Sequence, residues 1–418
     1  MHSVPAPIVS DSTRRGFLAA TVVGAAAFAV GLTLGNSLRA WQSLLVNFLF
    51  FGGLAQAGVV ISAIMQVTSS RWGRALKRMA EATSAFLPVS FLLLLVLLAG
   101  TGDWLPWVDE PVEAKQAWLN IPFLVVRQVA GFFILSGLSL LYVGRSLRPD
   151  IGQLDESGAR PATGLSRRLI ANWQGLNAER EASQRAQNRL APAILIAYAW
   201  VFTLIAFDFF MSLDPHWYST LAGGYYFIGN LFIGFAFLSV VAVWSRNRLD
   251  LSEYIDASQL HDIGKLLFGF CMLWAYLFWS QYLVIWYGDL PEETEFIYRR
   301  MHGAWAPLAW TVFAMVFVIP FLVLLSRRVK TSARGLATIA LVGFVGMWLE
   351  RFILVSPSLW HDEGLPLGLI ELLVTLGTAG LFGWCYTTFL RTFPVLPTSD
   401  PRLAPASAHP AAHGLHAE

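Results

Sequence analysis

The sequence predicts an all-α polytopic membrane protein with about ten transmembrane helices. Composition points there first. Of 418 residues, 56% are hydrophobic and only 13% charged, about half the ~25% charged share of a soluble domain. Next, apolar runs recur along the chain, each near the ~20 residues that cross a bilayer core. Finally, basic and acidic residues alternate between successive connections, the asymmetry that sets membrane orientation.

The runs lie near 16–35, 41–67, 84–102, 120–144, 191–213, 221–245, 264–287, 303–326, 335–355 and 366–390. One set of connections carries Arg14 and Arg15, then Arg71, Arg74, Lys77 and Arg78, then the 145–190 loop. The same set continues with Arg246 and Arg248, then Arg327, Arg328, Lys330 and Arg334. The opposite set carries Asp103, Asp109, Glu110 and Glu113, then Asp214, then Asp289, Glu292, Glu293 and Glu295, then Asp362 and Glu363. Arg39, Lys115, Arg299 and Arg300 run against the trend. The positive-inside rule therefore places both termini in the cytoplasm, as an even number of spans requires.

On this reading residues 1–15 are a cytoplasmic start, 16–390 the membrane domain, and 391–418 a disordered cytoplasmic tail. The tail is rich in Pro, Ala and His and lacks a periodic apolar pattern. Its His409, His413 and His416 could bind a metal, but a solvated low-complexity segment is the simpler reading. Thr13-Arg14-Arg15-Gly16-Phe17-Leu18 is close to a twin-arginine export signal. Nine further spans follow with no clear cleavage site, so the arginines read as the flank of the first span. In the 145–190 loop, Ser166 to Arg189 mixes Leu, Ile and Trp with many Arg and Glu, which predicts a surface or interfacial helix.

Several chemistries are excluded. Cys271 and Cys385 both sit in apolar runs and cannot supply the four ligands of an iron–sulfur cluster or structural zinc. All eight histidines are terminal, loop or boundary residues, so no haem held by two membrane imidazoles is expected. No phosphate-cradling glycine fingerprint appears between strand and helix. No nucleic-acid partner is expected.

What remains is the polar content of the spans. At ~1.5 Å per helical residue, Asp208 lies roughly 25 Å along the fifth span, toward the outside. Gln281 and Tyr282 reach a similar height in the seventh, as do Glu350 and Arg351 in the ninth. Arg127 and Glu371 lie within about two turns of the outer ends of their spans. Asn230 sits in the outer half of the sixth, and His216, His302 and His361 at the outer boundary. The inner half offers Gln66, Ser139, Tyr198, Ser239, Thr375 and Thr387, with Lys265 as its sole charge, at a helix end. Ionisable groups in hydrocarbon mark sites or pathways more often than packing. The pattern predicts a polar chamber opening outward. Arg127 has Glu350 or Glu371 as an ion-pair partner; Asp208 either caps its turn, bonds to tyrosines or handles protons. His216 and His302 face either chemistry or an extrinsic partner.

Two stretches carry a family resemblance: FDFFMSLDPHWYSTLAGGYYFIGN (207–230) and CMLWAYLFWSQYLVIWYGDLPEET (271–294). In that order, on about ten spans, they resemble the F-type integral membrane subunit (ActF) of bacterial alternative complex III, within the polysulfide-reductase, NrfD-like membrane family. The resemblance implies a fold of two four-helix bundles plus peripheral helices, and a respiratory or photosynthetic assembly in the bacterial plasma membrane that oxidises quinol. It implies no cofactor held by this chain, with haems and iron–sulfur clusters on partner subunits. Quinol is a possible ligand, with the paired C-type subunit the better candidate for its site and this subunit linked to proton transfer and scaffolding. The implied partners are a C-type membrane subunit, a multihaem cytochrome, an iron–sulfur subunit and the lipid bilayer. By the same resemblance Asp208, Asp214, His216, Gln281 and Tyr282 are expected in proton transfer. Arg127, Glu350, Arg351, Glu371 and His302 rest on physical argument alone. Two other classes compete: a secondary transporter, whose site should lie nearer the midplane, and a purely structural membrane anchor.

Overall fold

The computed structural model describes residues 9–249 and 251–403. Among them the chain is helical, with no strand. Ten helices are long and apolar enough to cross a membrane: α1 (Asp11–Thr33), α2 (Ser37–Val67), α3 (Arg74–Ala99), α4 (Ile121–Glu156), α5 (Leu176–Leu213), α6 (Ala222–Arg248), α7 (Ala257–Gly288), α8 (Trp305–Leu324), α9 (Ala333–Leu359) and α10 (Leu369–Thr392). The start of α1 and the end of α10 meet, through Arg14 to Thr388 and Arg391 to Asp11. We call that face the basic end and the opposite face the acidic end.

Local chemistry starts and stops these helices. Asn120 accepts from the Phe123 amide at 3.0 Å and Pro122 occupies the first turn, so α4 begins where its amides have no helical partner. Asp256 and Gln259 form a reciprocal capping box at the head of α7. Pro122 and Pro307 lie in first turns and kink nothing. Pro88 and Pro320 do perturb winding: each follows a short non-α turn, 3-10 at Ala82–Phe86 and π at Ala314–Val318. A proline lacks the N–H and crowds the carbonyl four residues back, and a change of local pitch relieves both.

Packing follows from how apolar each helix is around its girth. The apolar window of α2 is buried on every side, so it forms the central post. Helices α2–α5 make one four-helix bundle and α6–α9 a second, joined where α6 lies against α2 and α5. α1 and α10 pair alongside and lean on α2. Gly24 and Gly377 let them touch: a Cβ on either would sit 2.6 Å from the other's Cα. Where lipid is as apolar as leucine, such close backbone approach is the main source of helix attraction.

The structure corrects three expectations. The 145–190 loop is mostly helix, because α4 runs on to Glu156 and α5 starts at Leu176. Only 157–175 connects them, pinned by Arg148 to Glu179 (2.6 Å) and to the Leu169 carbonyl (2.8 Å). α3 begins at Arg74, a full two turns before the apolar run near 84. The chain after Thr392 is not disordered through Leu403: Phe393, Val395 and Leu396 are buried, and Ser399 and Asp400 bond into the domain. Its prolines rule out a helix, so side-chain anchors hold it instead. His409, His413 and His416 lie outside the described residues.

Gly377→Val should lower the unfolding free energy in a mixed-micelle titration by about 1–3 kcal/mol through overpacking. Gly137→Val, with nothing within 4 Å of its Cβ position, should leave it unchanged.

Candidate functional site: a chamber at the acidic end

The buried charges of the acidic half resolve into separate pairs. Arg127 on α4 grips Asp208 on α5 through two 2.7 Å bonds. The same carboxylate accepts from Gln128 at 2.5 Å and from the Trp118 indole at 3.0 Å. Arg127 also lies 4.3 Å over the Trp118 ring and 4.6 Å over Phe123. Asp208 is thus saturated with donors and 1% exposed; four hydrogen bonds leave it no vacant lone pair for a substrate. The partner of Arg127 is neither Glu350 nor Glu371, and Asp208 bonds to no tyrosine.

Glu371 instead pairs with Arg39 through two 2.8 Å bonds and accepts from the Gly368 amide, stapling α10 to α2. Arg39, which broke the charge trend in the sequence, is explained by this pair. Glu350 and Arg351, neighbours on α9, do bond to each other at 2.7 Å, because the long arginine arm reaches back along its own helix. Arg351 continues to Asn230 at 3.1 Å and lies 4.5 Å over Tyr226. Its pair is half used: Glu350 Oε1 is buried and has no partner.

Glu350 lines a cavity of about 750 Å³ between α7, α8, α9 and the short helix Pro291–Met301. The polar members of its wall are Glu350, Tyr225, Trp274, Gln281, Tyr282 and Arg300. The indole nitrogens of Trp274 and Trp217, which also lines it, are like Glu350 Oε1 buried without a partner. The rest is apolar and largely aromatic. Trp274 and Phe278 stack at 5.6 Å with rings 6° from parallel, and Phe278 continues to Tyr282. Gln281 is held by Ser219 at 3.0 Å, which ties the α5–α6 turn to α7. Exposed Tyr276, Trp279 and Trp310 stand at the side of the cavity, so it opens between α7 and α8.

The roof carries the remaining charges. Arg300 is 5% exposed and spends its donors on the carbonyls of Phe296, Ile353 and Leu354 and on Ser358. Burial pushes its guanidinium down to about 9, with Asp214 nearby acting the other way, so it stays charged at neutral pH. Asp214 lies 3.9 Å from Arg299 and 4.0 Å from Arg300, a long-range contact with no direct hydrogen bond. Trp217 stacks on Phe296 at 3.7 Å and closes the roof. His216 and His302 are exposed on the acidic face; His302 stacks on Tyr298 at 3.8 Å and neither lines the cavity.

Of the residues singled out in the sequence, Gln281, Tyr282 and Glu350 therefore share one chamber, with Arg351 behind it and Asp214 at its roof. Asp208, Arg127 and Glu371 are helix-to-helix locks. Sequence reasoning missed Arg300, Trp274 and Tyr225. A signal existed for the first: Arg299 and Arg300 were basic residues on an acidic connection, and one of them is buried.

The other correction lies at the basic end, where Lys265 is not the sole charge. Lys265 is 55% exposed and pairs with Asp262. Arg74, Lys77, Arg78 and Glu81 of α3 and Asp150 of α4 are all buried. Glu81 accepts from Arg78 at 2.5 Å, Ser146 at 2.8 Å and Ser62 at 2.9 Å, and Arg78 also bonds to Asp150. The four α3 residues recur at the spacing of one helix face, which a reading based on apolar runs passes over.

Asp208→Asn should cost about 3–5 kcal/mol in reversible unfolding, since it leaves the Arg127 charge buried and unpaired. The double variant Arg127→Met with Asp208→Leu should lose much less than that. A double variant as unstable as the single one would show the pair to be more than a lock. Compared with models of known protein families and with curated proteins, the chain matches none.

Proposed function

We propose that this chain is the non-haem membrane subunit of a quinol-oxidising electron-transfer complex of a bacterial plasma membrane, with its acidic end outside and both termini cytoplasmic. One observation carries the reading: a roomy, aromatic-walled chamber whose lining includes a carboxylate oxygen, of Glu350, and two indole N–H groups, of Trp274 and Trp217, all buried without a partner. A hydroquinone ring complements that set. Its hydroxyl donates to Glu350 Oε1, its oxygen accepts from Trp274 Nε1, and its plane lies against the stacked rings of α7. Its isoprenoid tail leaves between α7 and α8, where exposed aromatic side chains border the opening.

Chemically, quinol oxidation releases two electrons and two protons. The electrons pass to a haem or iron–sulfur centre on a partner subunit. Among the described residues no cluster of three or more His, Cys, Asp or Glu stands where this chain could hold a metal itself. Glu350 takes the first proton, and Arg351, fixed by Asn230, stabilises the ionised carboxylate that must be restored for the next turnover. Asp214 and the exposed His216 and His302 lie on the way to water at the acidic face. The locks at Arg127 and Glu371 hold the scaffold on which the partners dock.

Glu350→Gln in the purified complex should reduce quinol oxidation by about 10²–10⁴-fold, the usual worth of a positioned base. Subunit composition should stay intact. Ala309→Trp, which fills the chamber, should raise KM more than it lowers kcat. Unchanged kinetics in both variants, or a chain that copurifies with no metal-bearing partner, would leave only a scaffolding role.

A further inference from the structure

The chamber leaves the buried charges of the basic end without a task, and the segment that covers them suggests one. Counted as ionised, Arg74, Lys77 and Arg78 carry three positive charges against two negative charges on Glu81 and Asp150. The sixth charge comes from beyond the last helix. Asp400 accepts from Arg74 at 3.2 Å, and the Ser399 amide donates to Asp150 at 2.7 Å. Lys77 is satisfied separately by Gln187 at 2.6 Å and lies 3.8 Å from Glu81. Burial alone would push the Asp400 carboxyl up, but the Arg402 amide and the charges of Arg74, Lys77 and Arg402 hold it below the ordinary carboxylate value.

We propose that residues 393–403 form a charge-keyed latch: Asp400 completes the buried cluster and thereby closes the polar mouth through which water reaches Lys77 and Asp150. Three features argue for a latch over a fixed part of the core. The segment has no regular structure of its own, since Pro394, Pro397 and Pro401 interrupt it. It is held by a few apolar anchors, chiefly Phe393, Val395 and Leu396, by the two bonds above and by Arg402, which donates to the Gln66 side-chain oxygen at 3.2 Å. Beneath it remains a pocket of about 20 Å³ lined by Lys77, Asp150, Ser183, Gln187, Ser399 and Asp400, room for about one water. Lifting the segment would also carry away Arg402, which is 17% exposed and pairs with Asp400 at 3.3 Å. The buried charges left behind, Arg74, Lys77 and Arg78 against Glu81 and Asp150, are one positive charge in excess, so closure is favoured for as long as Asp400 is ionised. The latch governs solvent access to a charged site far from the chamber and does not depend on the quinol reading.

The test uses Ser183→Cys in the full chain in nanodiscs, labelled with a bulky charged maleimide; the parent chain, whose two cysteines are buried, supplies the background. Labelling should be at least ten-fold faster with Asp400→Asn added and unchanged with Asp400→Glu. Adding Lys77→Met to Asp400→Asn should slow it again, because removing one cation rebalances the cluster. Equal rates with and without Asp400→Asn would mean that the apolar anchors alone hold the segment. Failure of the Lys77→Met rescue would mean that charge is not the key. Hydrogen exchange on the unsubstituted chain gives an answer that needs no variant. The Ser399 amide should exchange together with its neighbours, well ahead of the α3 amides. Exchange only on global unfolding would overturn the proposal.

Discussion

Everything else in this fold depends on the pairing of charges that cannot reach water. Among lipids, apolar contact gives two helices no preferred register, because a lipid tail is as good a neighbour as leucine. A buried ion pair does, since its alternatives are an unpaired charge or a broken helix. Arg127–Asp208 sets α4 against α5, Arg39–Glu371 sets α2 against α10, and Arg78–Asp150 sets α3 against α4. Each uses a forked guanidinium, whose planar donors fix orientation as well as distance.

Against that background, Glu350 stands out for what it lacks. Asp208 and Glu371 have their oxygens occupied, and Glu81 takes three short bonds. Glu350 spends one oxygen on Arg351 and leaves the other, beside the chamber, without a partner. Folding alone gives no reason to leave a buried acceptor bare, since an unmade hydrogen bond costs about 1–3 kcal/mol. A bound molecule that supplies the missing donor would recover that cost.

The ten helices and their order were legible because apolar length is a one-dimensional property. So was the grouping of polar residues near the acidic end, which needs only the rise per residue. Partner choice was not. Arg127 had three acids at comparable depth, and only the side-by-side placement of α4 and α5 selects Asp208. The start of α3 was hidden by its own charges, which look like a solvated flank until a second helix and the chain beyond α10 supply their counter-ions. That last segment was illegible for the same reason: a proline-interrupted stretch has no period, and its order comes entirely from what it touches.

The pairing of α1 with α10 bears on how the molecule is made. α1 is only 11% buried along its apolar window, and its main neighbour is α10, the last of the ten membrane-length helices among the described residues. At about 5–20 residues per second, roughly 18–70 s separate the synthesis of the two. During that interval Gly24 faces lipid or the insertion machinery, and Arg14 waits for Thr388. The bundle is therefore sealed from its C-terminus, and a nascent chain cut short before α10 would leave its first helix adrift in the bilayer.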